Sequence, residues 1–185
     1  MSRKQDPGVA GARAAWRYRG NERPAFAIRP NPDQESVWDY PRPPVVEADP
    51  RPVTVHADGL LIADTRHALR VLETGSPPTF YLPLVDVDTT LLEAVTGTTF
   101  CEWKGYAHYW TLVLPMRRIE RVAWSYPTPY PEFVDLREHL AFYPGELDCR
   151  VGGERVRGQA GRYYGGWITA ELAGPFKGEP GTGHW

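Results

Sequence analysis

Apolar and polar positions alternate with a period of two through much of the middle of the chain, the pattern of strands that bury one face. Val53, Val55 and Ala57 alternate with polar neighbours, Asp58-Gly59 is a favoured two-residue turn, and residues 60–64 return, which predicts a hairpin. Further strands are predicted over residues 80–85, 99–103, 107–114, 119–126, 140–143, 147–151 and 154–156, with turns at Lys104-Gly105, Arg117-Arg118 and Gly152-Gly153. Three segments fit short helices instead. Leu69, Val71 and Leu72 suit one over 65–74, stopped by Gly75 and Pro77-Pro78. Asp88 and Thr89 suit the start of a second, running to Val95 before Gly97, and Pro131 suits the first position of a third carrying Phe133, Val134 and Leu136. The fold class that follows is mainly β (α+β), a single antiparallel β-rich domain with a few short helices.

Composition supports that picture. Nineteen prolines and 18 glycines with 12% aromatic residues describe short segments, firm turns and large rings to bury. A length of 185 residues suits one domain with tails. Residues 1–32 lack sustained periodicity and are expected as a flexible arm, with docking of Trp16 and Tyr18 as the alternative. The core domain is expected over 33–160, opening near Glu35 in ESVWDYPRPP, and the glycine- and aromatic-rich stretch 161–185 is expected to pack on it, over a pocket.

Charge and cysteine content remove several function classes. Net charge is -2 with 21 basic and 23 acidic residues, which gives no global field for nucleic acid and leaves only a local basic patch open. No apolar run approaches the ~20 residues that span a bilayer, so a cytoplasmic protein without membrane contact is expected. Cys101 and Cys149 make no disulfide framework, and with His108 and His139 they form no close pair of zinc ligands, so no structural metal is expected. A looser site at Asp86, Asp88 or His56 stays open. No phosphate loop is present and no cofactor is expected.

The segment TTFCEWKGYAHY, residues 98–109, holds the candidate chemistry. Lys104 before a glycine suits an anion holder, or a base or imine former if burial lowers its pKa; the alternative is a solvated lysine at a hairpin end. Strand alternation puts Cys101 and Trp103 on one face, Glu102 and Lys104 on the other, unless the turn re-aims one of them. Cys101 is either a nucleophile or a small buried hydrophobe, and His108 either assists it or bonds a neighbouring strand. Trp103, Tyr109, Trp110, Trp124 and Tyr126 supply rings for a core or for ligand stacking. Arg70 and Glu73 suit an exposed ion pair, or Glu73 turns inward to answer Lys104.

In order, ESVWDYPRPP, ALRVLETG, FCEWKG, AWSYP, AFYPG and GGWITAELAGPFKG resemble the bacterial and fungal family of domain of unknown function 427, in its actinobacterial form, from Glu35 to Trp185. The resemblance implies a fold similar to the β-tent or Mss4-like architecture without paired zinc cysteines. It also implies a pocket set of Glu73, Tyr81, Asp86, Cys101, Lys104, Gly105, Tyr109, Trp124, Tyr126 and Pro127. Glu102 departs from the proline that often follows the cysteine in that family. The nucleotidyltransferase label some members carry has no support here, since no paired-aspartate metal motif is recognisable.

The candidates are then Lys104, Glu73, Tyr109 and Cys101 as catalytic residues, with Trp103, Trp124, Tyr126, Asp86, Tyr81 and Arg70 as ligand-binding residues. Two functions compete: a small-molecule enzyme using Lys104 on an anionic or carbonyl substrate, and a non-catalytic module binding a small ligand or peptide. Assembly through the aromatic amino-terminal arm, as a homodimer, is a third option.

Overall fold

A computed structural model describes residues 7–161 and 163–185. Seven strands, β2 (Val45–Asp49), β5 (Ala68–Leu72), β6 (Thr79–Pro83), β7 (Leu92–Cys101), β8 (Gly105–Val113), β9 (Arg118–Ser125) and β10 (His139–Phe142), form one antiparallel sheet. Their order is β2-β5-β6-β10-β9-β8-β7. A second antiparallel sheet joins β3 (Val53–Ala57), β4 (Leu60–Thr65), β11 (Asp148–Val151) and β12 (Glu154–Arg155) in the order β12-β11-β3-β4. Two small pairings complete the fold. One is parallel, between β1 (Glu35–Ser36) and β15 (Leu172–Ala173); the other is antiparallel, between β13 (Arg157–Gly158) and β14 (Trp167–Ile168).

The predicted hairpin is β3–β4, and Asp58 and Gly59 both take positive φ, at 50° and 81°, as its tight turn requires. Alternation then gives the large sheet two different faces. Phe80, Leu82, Ala123, Leu140 and Phe142 face the small sheet and pack with Val55, Ile62, Cys149 and Trp167 into the main core. The intervening Tyr81, Trp124 and Ala141 point the other way, where Tyr109, Trp103, Tyr126, Phe133 and Leu136 join them in a second, more aromatic cluster. A third cluster around Trp38 ties the two ends of the chain together.

Two of the three expected helices are strand in whole or part. Residues 68–72 form β5, between β2 and β6, because Ala68, Val71 and Leu72 are buried on both faces of an interior strand and so mimic helical spacing. After Asp88, which accepts from the Thr90 amide, a single 3-10 turn (Thr89–Leu91) gives way at once to β7. Pro131 does open a 3-10 helix, Pro131–Leu136, which buries Phe133 and Leu136. Of residues 1–32, expected as a flexible arm, 1–6 lie outside the described residues and 7–32 lie against the domain through helix α1 (Pro7–Ala14), Trp16 and Tyr18. No helix among the described residues is long and apolar enough to cross a membrane.

Candidate functional site

The aromatic face of the large sheet floors a cavity of about 330 Å³. Val71, Tyr81, Tyr109 and Trp124 rise from the strands; Cys101, Glu102, Trp103 and Lys104 come from the β7–β8 turn. The chain ends build the opposite wall, with Trp16 from one side and Gln159, Tyr163, Tyr164, Gly165 and Lys177 from the other. Gly165 lies flat on the Trp124 indole, in the space a Cβ would need.

The turn overrides strict alternation. Strand β7 stops at Cys101 and β8 restarts at Gly105, whose φ of 96° suits glycine, so the three residues between curl over the cavity and all four side chains from Cys101 to Lys104 line it. Glu102 anchors the amino-terminal wall: its carboxylate accepts from Trp16 Nε1 at 2.8 Å and its carbonyl from Arg13 Nε at 2.7 Å.

Among the described residues neither Lys104 nor Lys177 has a hydrogen-bonded or ion-paired partner for its amine. Lys104 is 9% exposed, with Nζ 5.8 Å from the ring centres of Tyr126 and Phe133. Burial disfavours its charge; the Cys101 and Tyr81 groups, when ionised, and the Glu73 and Glu102 carboxylates favour it, and the balance raises its pKa above the ordinary lysine range. The shift runs upward, so burial does not supply the neutral amine that its expected candidacy as a base or imine former requires.

Lys177 is the opposite case. It is 2% exposed, with Nζ 3.5 Å above the centre of the Trp16 ring. Burial, aided by the Arg42 guanidinium and opposed by Glu73 and Glu102, lowers its pKa to about 8. A depressed lysine binds fewer protons folded than unfolded, so its burial penalty is full below pH 8 and relieved above it. Stability of the wild type relative to Lys177→Arg is therefore expected to rise from about pH 8 towards the unfolded lysine value; urea titrations at pH 7, 8 and 9 measure it, and a flat difference would contradict the shift.

Glu73 lines the cavity but is answered by Arg42, not Lys104 or Arg70: Arg42 Nε and Nη2 lie 3.2 and 3.1 Å from its Oε1. The Tyr109 and Thr99 hydroxyls share a hydrogen bond of 2.7 Å. Burial raises the pKa of Tyr81 to about 12 and that of Tyr126 well above 10, so both phenols stay protonated near neutrality. Among the described residues, Trp103 Nε1 is buried without an acceptor.

Two expected ligand-binding residues lie away from the cavity. Arg70, on β5, is paired with Glu35 at 2.8 Å and Glu47 at 3.2 Å, because an arginine on this outer part of the sheet meets carboxylates from β1 and β2. Asp86 accepts from Thr65 Oγ1 at 2.6 Å and lies 3.9 Å from His67 Nδ1, which fastens its turn to β4. His108 is exposed between buried Ala107 and Tyr109, so β8 turns it away from Cys101. Cys149 sits in the main core, its thiol pushed up by burial. No three His, Cys, Asp or Glu side chains among the described residues converge as metal ligands.

The sequence profile of the domain of unknown function DUF427 matches residues 45–153, more than half of the chain. The chain belongs to the DUF427 family. No curated protein matches it. The DUF427 span holds the cavity floor and the β7–β8 turn, whereas Trp16, Arg42, Tyr163, Tyr164 and Lys177 lie outside it. Sequence reasoning centred on the DUF427 motifs therefore named the floor and missed Trp16 and Lys177 as cavity residues and Arg42 as the partner of Glu73. One sequence signal could have pointed to Lys177: lysine is rare in the chain, three against eighteen arginines, and two of the three line this cavity.

Proposed function

We propose that the protein is a small-molecule enzyme whose cavity takes a compact, flat anion or carbonyl compound, with Lys104 as the anion holder and Trp103, Trp124 and Tyr126 as the stacking walls. The carrying observation is the Lys104 amine, buried among rings and, among the described residues, without a paired anion; its pKa is shifted up, not down. An unpaired buried charge is costly, and a bound carboxylate or phosphate relieves that cost. A cavity of about 330 Å³ walled by rings with a few polar groups suits a small ligand.

Benzoate and benzamide test the anion site, because they share a ring and differ in charge. Calorimetry is expected to show benzoate binding more tightly, with Lys104→Met weakening it by about 1.5–3 kcal/mol, the scale of a hydrogen bond to a charged group. Equal affinities for the two probes, or a Met variant as good as wild type, would remove the reading.

A non-catalytic binding module is the second reading, and the engagement of Glu73 by Arg42 and of Tyr109 by Thr99 favours it, since both proposed proton partners are already occupied. Mass spectrometry of the co-purified ligand after incubation separates the two: an altered ligand supports catalysis, an unchanged one the module.

A further inference from the structure

We infer that Lys177 is the carbonyl-reactive amine of this cavity, forming an imine with a small aldehyde or ketone whose acid group rests on Lys104. The inference deepens the anion-site reading above and rests on it. The backbone of Lys177 is pinned on both sides, its amide donating to Gly75 O at 2.7 Å and its carbonyl accepting from Gln159 Nε2 at 2.7 Å. The side chain is thereby held in the cavity wall, with Nζ over Trp16 and 5.1 Å from the Tyr164 ring.

A purely structural cation on that indole does not need to be lysine. Arg42 already stacks on the same ring, 4.3 Å from its centre, and arginine predominates elsewhere in the chain. What arginine cannot do is release its proton near neutral pH. Lys177 can. Arg42 and burial disfavour its charge against the pull of Glu73 and Glu102, and with a pKa of about 8 roughly a tenth of the amine is neutral at pH 7.

The chemistry balances without a further reactant. The Nζ lone pair forms a C–N bond to the carbonyl carbon, and the C=O π pair moves to oxygen. One proton passes from nitrogen to that oxygen, giving a carbinolamine. Loss of the hydroxyl with a second proton, as water, leaves C=N. Lys104 stays protonated throughout and holds the acid group that orients the carbonyl.

The test uses the full chain with 4-carboxybenzaldehyde and cyanoborohydride, which delivers hydride to the imine carbon and fixes the adduct. Peptide mass spectrometry is expected to find Lys177 carrying the aldehyde's mass less one oxygen atom, about tenfold or more above Lys104, in line with their different neutral fractions. Labelling is expected to be suppressed by benzoate, slower with 4-methylbenzaldehyde, several-fold faster at pH 8 than at pH 7, and lost in Lys177→Arg, which keeps the charge and the stacking. Adduct spread evenly over the lysines, or indifferent to benzoate, overturns the inference. If benzoate binds through Lys104 but Lys177 takes no label, the imine fails and the anion site stands; if neither occurs, both fail.

Discussion

Arg42→Met is expected to lower folding stability by about 3–5 kcal/mol, the usual cost of breaking one side of a buried ion pair. Methionine keeps much of the volume, so the loss comes from charge and hydrogen bonding. The Arg42 side chain has no exposure, and its guanidinium holds Glu73, the Thr74 carbonyl at 2.9 Å, the Tyr18 carbonyl at 2.8 Å and the Trp185 carbonyl at 3.4 Å. One side chain thus joins the end of β5 to both chain ends. Arg42→Lys is expected to fall close to Arg42→Met, because a single ammonium cannot serve a carboxylate and three carbonyls in one plane. Urea unfolding measures both. A loss within about 1 kcal/mol would mean that Glu73, whose side chain keeps 20% exposure, turns to water when its partner is removed.

The sheets were legible because alternation reports burial directly. The β3–β4 hairpin and the β7–β8 turn follow from Asp58-Gly59 and Lys104-Gly105 with their flanking patterns. Strand β5 was not, because burial of Ala68, Val71 and Leu72 on both faces erases the period of two and leaves a spacing that a helix shares. The cavity floor was legible for a related reason: the rings and polar groups of residues 98–109 and 123–126 are concentrated on paired strands, so proximity in sequence carries over to proximity in space. Trp16 and Lys177 reach the same cavity from the ends of the chain and Arg42 reaches its Glu73; composition led to the expectation that 161–185 packs over a pocket, but no local pattern specifies which side chains of such distant segments meet. On the cavity side, the Glu102 carboxylate supplies the acceptor that the Trp16 indole uses.

Trp38→Ala is expected to cost about 3–5 kcal/mol, as truncation of a fully buried aromatic does, and to loosen the cavity's outer wall as well. Trp38 has no exposure and meets Tyr18, Phe26 and Trp185 edge-on at 5.3, 5.0 and 5.3 Å between ring centres, while its Nε1 donates to the Pro175 carbonyl at 3.1 Å. It also packs on Gly75, where a Cβ would come within 3.2 Å of the indole and whose carbonyl receives the Lys177 amide. The indole is therefore the common support of the segments carrying Trp16 and Lys177. Leu112→Ala, in the main core, supplies the comparison: it is expected to cost about 2–5 kcal/mol while leaving benzoate affinity of the folded protein unchanged. Trp38→Ala, measured where it remains folded, is expected to bind benzoate more weakly and to lose the preference of labelling for 4-carboxybenzaldehyde over 4-methylbenzaldehyde. If both variants kept wild-type affinity, the end segments would be held against the floor by Glu102 and Arg42 alone, and the indole would act on stability without shaping the site.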